Sequence, residues 1–518
     1  MSKYIKLFLG SVIILNILFA AWYLIHGDIF FNSDIARDFL LLEDLLHKKL
    51  VLIGPRASGL NGFFHGPLWM YLNFPIFFLT KGDPLAQGWF WYSILLTFLA
   101  SSFLIAKKLF NSETALIFIA LLSSIFTIPY TDWGIYNGFY NPHGAFFLAP
   151  IFFYSLIQYH RTRNALFLAS SLFINGCIIQ FQVAFGGPLL IMTLLIVLRQ
   201  IVQTKKYNHF FCLLVLLIPA SSYILFDLRH NFSHIRAILM PVSDPSRVYL
   251  DLREMMMTRI DAIFSSGLHI FRAQFGTLNI FFSYALAFSL YFIFTQKKDH
   301  KNKDIYVLIT YLYVGYFLLS LIQNGWVQYF YWMPLVPLVY LFFARLPNLI
   351  PQKMAYILIF FALTLNVYIS YERMKRVNEY IGVSQNSWKF QSLMVKDIFE
   401  DVKQNNISDF GFFVKAPDIF GYSSKYPFVY WQKRYPSIHA NIYEKKQDTY
   451  IVYEPALKDL SWMNGGTQGW LKDKLHIATN GAIIKTYPNG FRIEKFKLEG
   501  NDLTTELAPG VNDWIYFR

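Results

Sequence analysis

HGAFFLAPIFFYSLIQYHRTRNALFLASSLFINGCIIQFQVAFGGPLLIMTLLIVLRQIVQTKK, residues 143–206, sets long apolar runs between short basic clusters. The runs lie near 143–159, 165–182 and 184–198. Arg161 with Arg163, then Arg199 with Lys205 and Lys206, punctuate them. A membrane-spanning helix needs roughly 20 predominantly apolar residues, and this spacing supplies them. The same window, moved outward, adds runs near 7–26, 85–106 and 112–130 on one side. On the other it adds 208–226, 275–295, 305–323, 327–344 and 354–371. The expectation is about eleven transmembrane helices. Pro67–Thr80 is apolar but shorter, and is expected to lie in the interface or to re-enter.

Composition points the same way. Of 518 residues, 55% are hydrophobic and only 15% charged, against about 25% charged in a soluble domain. The net charge of +14 is dispersed among the connections, which argues against one nucleic-acid-binding patch. With the N-terminus in the cytoplasm, the inner loops hold Lys107 and Lys108, then Arg161 and Arg163, then Arg199, Lys205 and Lys206. Later ones hold Lys297, Lys298, Lys301 and Lys303, then Arg345 and Lys353, with only Glu113, Asp299 and Asp304 as acids. Every second loop is basic, as the positive-inside rule requires. The first run follows Lys3 and Lys6, but its long apolar core and missing small-x-small site make it an anchor, not a cleaved signal. Cys177 and Cys212 lie inside apolar runs and read as packing residues.

An odd number of spans leaves residues 372–518 outside. This tail opens with NSWKFQSLMVKDIFEDVKQN, where Phe390, Leu393, Met394, Ile398, Phe399 and Val402 recur at helical spacing. The runs FGFFV, TYIVYE, AIIKTY and FRIEKFKL follow, separated by Pro, Gly and Asn, and read as strands. The expected organisation is a transmembrane catalytic domain over 1–371, with a large first outer loop at 27–84, and an extracytoplasmic α/β domain over 372–518.

Polar chemistry gathers on the outer side. In the first loop Asp34 and Asp38 are four apart and share a helix face, with Arg37 between them in sequence. Two carboxylates and a guanidinium make either a general base beside an anion clamp or a structural ion pair on a juxtamembrane helix. The stretch IGPRASGLNGFFHGPLW brings Arg56 and His65 among glycines. Glycine permits close backbone approach, and Arg and His can meet a phosphate; the plainer reading is a turn-rich loop. YTDWGIYNGFYNPHG carries Asp132, Asn137, Asn141 and His143 among aromatics. That mixture suits a sugar ring, and equally an interfacial aromatic belt.

FDLRHNFSHIRAILMPVSDPSR crowds Asp227, Arg229, His230, His234 and Arg236 at the outer end of a span. They can hold a lipid phosphate or reach ordinary headgroups. Gln180, Gln182, Asn324 and Gln328 lie near other outer ends, as site residues or as interhelical hydrogen bonds. No Walker A loop, GxGxxG, HExxH or CxxC pattern occurs. ATP therefore has no motif, and a divalent metal has none either.

SDIARD, GPRASGLNGFFHGPLW and GDP resemble the first outer loop of bacterial GT-C membrane glycosyltransferases. These are relatives of protein O-mannosyltransferases and of the aminoarabinose transferase acting on lipid A. YNPHGA, FDLRHNF and WVQYFYWMPLVP resemble segments of other members, so the likeness covers most of residues 1–345. It implies an all-α, GT-C-like membrane fold and an inverting sugar transferase that uses a polyprenyl-phosphate-linked donor. It also implies a catalytic base at Asp34. Relatives carry Asp-Glu there; here Ile35 follows Asp34, which leaves Asp38 or Asp132 as a second acid. Arg37, Arg56, His65, Arg229, His230 and Arg236 are then the donor-phosphate candidates. Asn137, Asn141, His143 and Gln182 are the sugar or acceptor candidates. The implied partners are the bilayer, the lipid-linked donor and an extracytoplasmic glycan, lipid or protein, at a bacterial inner membrane. A flippase of lipid-linked sugar and a polysaccharide polymerase or ligase are the competing functions.

Overall fold

Within hydrocarbon a chain satisfies its backbone only inside a helix or a closed barrel, so the long apolar runs have one available form. The computed structural model describes residues 1–48, 50–57, 63–124, 139–239, 250–262, 300–322, 331–417, 420–455 and 467–511. Five helices among these are long and apolar enough to cross a membrane: Lys3–Ala20, Pro84–Leu109, Val183–Thr204, Tyr207–Arg229 and Gln352–Tyr380. Leu68–Leu79, Ser112–Ser124, Ala165–Phe181 and Met333–Ala344 are apolar but shorter. The pattern is that of a multi-pass membrane protein.

Five spans, not about eleven, meet that measure among the described residues. Each expected window nonetheless coincides at least in part with a helix, except 275–295, which lies outside the described residues. The first helix stops at Ala20, with Ala21 leaving helical geometry and Trp22–Ile25 forming a separate turn. Pro67–Thr80 becomes the helix Leu68–Leu79, which keeps Pro75 inside it.

The chain forms two compact units. One comprises Met1–Trp22, Val51–Leu72 and Phe90–Lys375; the other comprises Tyr23–Leu50, Asn73–Trp89 and Arg376–Arg518. Two pieces of the first loop thus fold with the tail.

In the first unit, buried polar side chains pair between helices. Asn16 Nδ2 donates to Ser123 Oγ at 3.0 Å, and Asn366 Nδ2 to Ser124 Oγ at 3.3 Å. Such bonds contribute about 0.6 kcal/mol each inside membrane bundles, so they fix register more than they stabilise. Buried Arg345 donates to Thr114 Oγ1 and Tyr306 OH, both at 3.3 Å, and lies 4.6 Å over the Phe110 ring. Helices Asn141–Thr162 and Ala165–Phe181 form a hairpin whose turn residue, Arg163, has φ 54°. At its other end a Cβ on Gly144 would sit 2.6 Å from the Phe181 ring, so glycine lets the helices close. Leu195, Leu198, Phe211, Leu214, Ile357 and Phe360 are exposed, an outward apolar face that lipid would cover.

The second unit holds a five-stranded sheet in the order β2-β1-β3-β5-β4. Its strands are β1 (Asp409–Lys415), β2 (His439–Ile442), β3 (Asp448–Tyr453), β4 (Ala482–Thr486) and β5 (Arg492–Lys497). β1 runs parallel to β2 and β3, while β5 is antiparallel to β3 and β4. The four expected runs form β1, β3, β4 and β5; β2 was not anticipated. Helix Trp388–Gln404, capped by Ser387, lays Phe390, Met394, Val395, Ile398, Phe399 and Val402 on one sheet face. Leu393 is exposed instead, since it lies about 140° around the helix from Ile398. Phe413, Ile451, Phe496 and Leu498 pack on the other face.

Helix Ser33–Lys48 joins this unit against helix Tyr422–Gln432. Phe39 meets Tyr426 with ring centroids 4.8 Å apart, and Lys433 pairs with Glu43. Burial raises the Glu43 carboxyl above its ordinary range, with Lys433 opposing. Asp28 is fully buried. It accepts from Ile29 N–H (2.8 Å), Lys389 N–H (2.9 Å), Gly382 N–H (3.1 Å) and Ser387 Oγ.

Candidate functional site

Helical spacing places Asp34 one turn from Arg37 and Asp38 next to it. Arg37 bridges the two acids: Nη1 donates to Asp34 Oδ1 at 2.8 Å, while Nη2 and Nε donate to Asp38 Oδ1 at 2.9 and 3.2 Å. Exposure falls along the series, from 42% for the Asp34 side chain to 13% for Arg37 and 5% for Asp38. Burial acts to lower the Arg37 pKa, but the charges of Asp38 and Asp34 outweigh it and raise it. Asp34 is therefore the member of the trio that a substrate can reach. Asp38 is a buried counter-ion, and Arg37 is committed to both acids.

In the other unit, the glycine-rich loop is more regular than its composition suggests. Gly54 N–H donates to His65 C=O at 2.8 Å, His65 N–H to Pro55 C=O at 2.8 Å, and Ala57 N–H to Phe63 C=O at 3.0 Å. The result is a small antiparallel ladder that pairs Arg56 with Phe64. Its base docks through Gly66 N–H to Gln180 C=O at 2.9 Å. Gln180 Nε2 in turn donates to Ser222 Oγ at 2.8 Å and to Pro219 C=O. A Cβ on Gly66 would lie 1.7 Å from Gln180 Oε1. Gly66→Ala is thus expected to push this docking apart at a cost of about 1–3 kcal/mol. Faster amide exchange at Gly54, Ala57 and His65 would report it; unchanged exchange would show that Gln180 simply moves aside.

Phe63 and Phe64 rest on His234, with centroids 4.9 and 6.0 Å away, and Tyr223 and Phe226 also face its ring. His234 Nδ1 lies 3.4 Å from Asp227 Oδ1, which also accepts the His234 N–H at 2.9 Å. Burial lowers the His234 pKa, with Asp227 opposing and His230 adding. His234 is therefore no fixed cation near neutral pH. His230 stacks on Phe226 at 4.1 Å, while Arg229, Arg236 and Arg56 are exposed and His65 is half-buried. These exposed arginines are able to meet an anion from solvent or the lipid surface.

Asn141, His143 and Gln182 are buried, not displayed on a loop. They gather at the Gly144 end of the helical hairpin. Asn141 Nδ2 donates to Phe181 C=O at 2.8 Å, beside Gln182, and His143 Nδ1 lies 3.2 Å from both Tyr140 N and Tyr140 O. Among the described residues, His143 Nε2 and Gln182 Nε2 have no hydrogen-bond partner. Asp132, Asn137, Asn324 and Gln328 lie outside the described residues. Among the described residues no group of three or more His, Cys, Asp or Glu could hold a metal ion, and both cysteines are free.

The sequence reading missed Asp28 and Tyr422. Tyr422 begins the helix of the tail that packs against Ser33–Lys48, and packing between segments so far apart leaves no local pattern.

No protein-family model matches the chain, and no curated protein matches it. Solved structures do. The chain is similar to ArnT from Cupriavidus metallidurans in the apo state, at 9% identity and a TM-score of 0.57, covering 95% of this chain and 97% of that one. It is likewise similar to the same protein bound to undecaprenyl phosphate, at 10% identity and a TM-score of 0.54, covering 98% of this chain and 100% of that one. At this identity the likeness establishes a shared fold with ArnT over nearly the whole of both chains.

Proposed function

We propose that the chain is an inverting membrane glycosyltransferase, moving a sugar from a polyprenyl-phosphate-linked donor to a glycan, lipid or protein outside the cytoplasm. The observation that carries this reading is the end-to-end fold likeness to ArnT, a protein also solved with undecaprenyl phosphate bound. In this reading the N-terminus lies in the cytoplasm of a bacterial inner membrane, and residues 372–518 lie on the opposite side.

Asp34 takes the proton of the acceptor hydroxyl. The acceptor oxygen bonds to the anomeric carbon from the side opposite the phosphate, the carbon–oxygen bond to phosphate breaks, and polyprenyl phosphate leaves with the electron pair. Charge grows on that phosphate, and fixed cations lower the barrier most where charge develops. Arg56, Arg229, His230 and Arg236 are assigned to it. The unpartnered nitrogens of His143 and Gln182 are assigned to sugar hydroxyls, because a buried donor without a partner is costly until a ligand meets it.

The test is to incubate the purified full chain in detergent with radiolabelled undecaprenyl-phosphate sugars and a membrane extract. Donor-dependent labelling of an acceptor is expected. Movement of intact lipid-linked sugar across reconstituted vesicles, with no new glycosidic product from any donor, would replace the transferase with a flippase.

A further inference from the structure

We infer that Arg37, anchored by Asp38, is a positioning residue that holds and aims Asp34, and is not a ligand of the donor phosphate. The inference rests on the reading of Asp34 as the base and specifies how that base is set.

Three observations carry it. The first is occupancy. Two of the guanidinium nitrogens go to Asp38 Oδ1 and a third to Asp34 Oδ1. A guanidinium is a rigid planar fork, so turning it toward a phosphate breaks its bonds to an almost fully buried carboxylate. The second is charge. Two carboxylates and one guanidinium sum to −1, an unfavourable landing place for an anionic phosphate. The third is direction. Arg37 holds Asp34 through Oδ1 alone, and among the described residues Oδ2 has no hydrogen-bond partner on this part-exposed side chain. The tether therefore fixes one oxygen and presents the other.

The packed helix Tyr422–Gln432 brings Tyr422 and buried Lys425 to this side, the Lys425 ammonium lying 5.4 Å from the centre of the Tyr422 ring. Neither is hydrogen-bonded to Asp34, so Arg37 is the cation in direct contact with the proposed base. Asp38 is accordingly not a second catalytic acid: it touches Arg37 and is shut away from solvent.

The experiment uses the full chain in detergent as wild type, Arg37→Lys and the double variant Arg37→Gln/Asp38→Asn, which removes the buried pair together and leaves no unpaired buried charge. The kcat and donor KM of transfer are measured for each protein, and binding of undecaprenyl phosphate is measured in parallel.

In the double variant kcat is expected to fall about tenfold or more, because Asp34 loses the tether that aims it. Undecaprenyl phosphate should bind within about threefold of wild type (~0.65 kcal/mol at 1.4 kcal/mol per tenfold). Arg37→Lys keeps the charge without the fork. It should lower kcat about tenfold and leave the donor KM unchanged.

An unchanged kcat in the double variant would overturn the inference. So would a tenfold or greater loss of undecaprenyl phosphate binding, or a raised donor KM with unchanged kcat in Arg37→Lys. If the double variant does not fold, the kcat and KM of Arg37→Lys decide alone. Wild-type transfer by Asp34→Asn would instead remove the base reading, whereas lipid binding reports on Arg37 whatever the base.

Discussion

Asp34→Asn is expected to lower donor-dependent transfer by about 10²–10⁴-fold, the usual contribution of a positioned general base, without unfolding the protein. Asparagine is nearly isosteric with aspartate, and its Oδ1 can still accept the Arg37 Nη1 bond now made at 2.8 Å. Arg37 also keeps both bonds to Asp38, so no buried charge is stranded. The amide simply has no basic oxygen for the acceptor's proton. The check is the initial rate of label transfer from the best donor, beside the melting temperature of both proteins in the same detergent. Matched melting with lost transfer would assign the chemistry to Asp34. Matched melting with undiminished transfer would remove it as the base.

The membrane architecture was legible because lipid imposes a length and an apolarity that a single sequence displays. The limits came where the chain departs from that simple rule. Leu68–Leu79 is too short for a span but helical all the same. In the tail, FGFFV and TYIVYE announced central strands through continuous apolar runs, whereas β2 is the four residues HANI, whose alternation of polar and apolar is too short to stand out.

Side-chain sites divided the same way. The Asp34–Arg37 pair follows from three-residue helical spacing; the Arg37–Asp38 pair does not, because a long guanidinium must fold back to its sequence neighbour. Glycines 54 and 66 signalled close backbone approach, but their partners, each other and Gln180, are tertiary facts. The same holds for the union of Tyr23–Leu50 with Arg376–Arg518.

Asp28→Ala tests that union within the second unit and is expected to cost about 3–5 kcal/mol, in the range reserved for losing a buried polar network. Asp28 is one carboxylate serving four donors. Oδ1 accepts from Ile29 and Lys389 N–H, while Oδ2 accepts from Gly382 N–H and Ser387 Oγ. Truncation leaves buried donors without an acceptor, and each such group costs about 1–3 kcal/mol. The costs do not simply add, because Ser387 Oγ can turn and still caps Phe390 N–H at 3.1 Å. Water cannot repair the loss cheaply, since Asp28 has no exposed surface. Asp28→Asn should be milder than Ala yet still harmful, since its Oδ1 keeps two acceptor contacts while its amide places a donor toward the Gly382 N–H. Amide exchange at Ile29, Gly382 and Lys389 in the full chain should accelerate in the order wild type, Asn, Ala, with the melting temperature falling in parallel. Exchange at Gly382 and Lys389 that stayed at the wild-type rate in Asp28→Ala would mean that the apolar contacts of Phe31 with Trp388 and of Phe39 with Tyr426 hold the first-loop helix to the tail without the carboxylate.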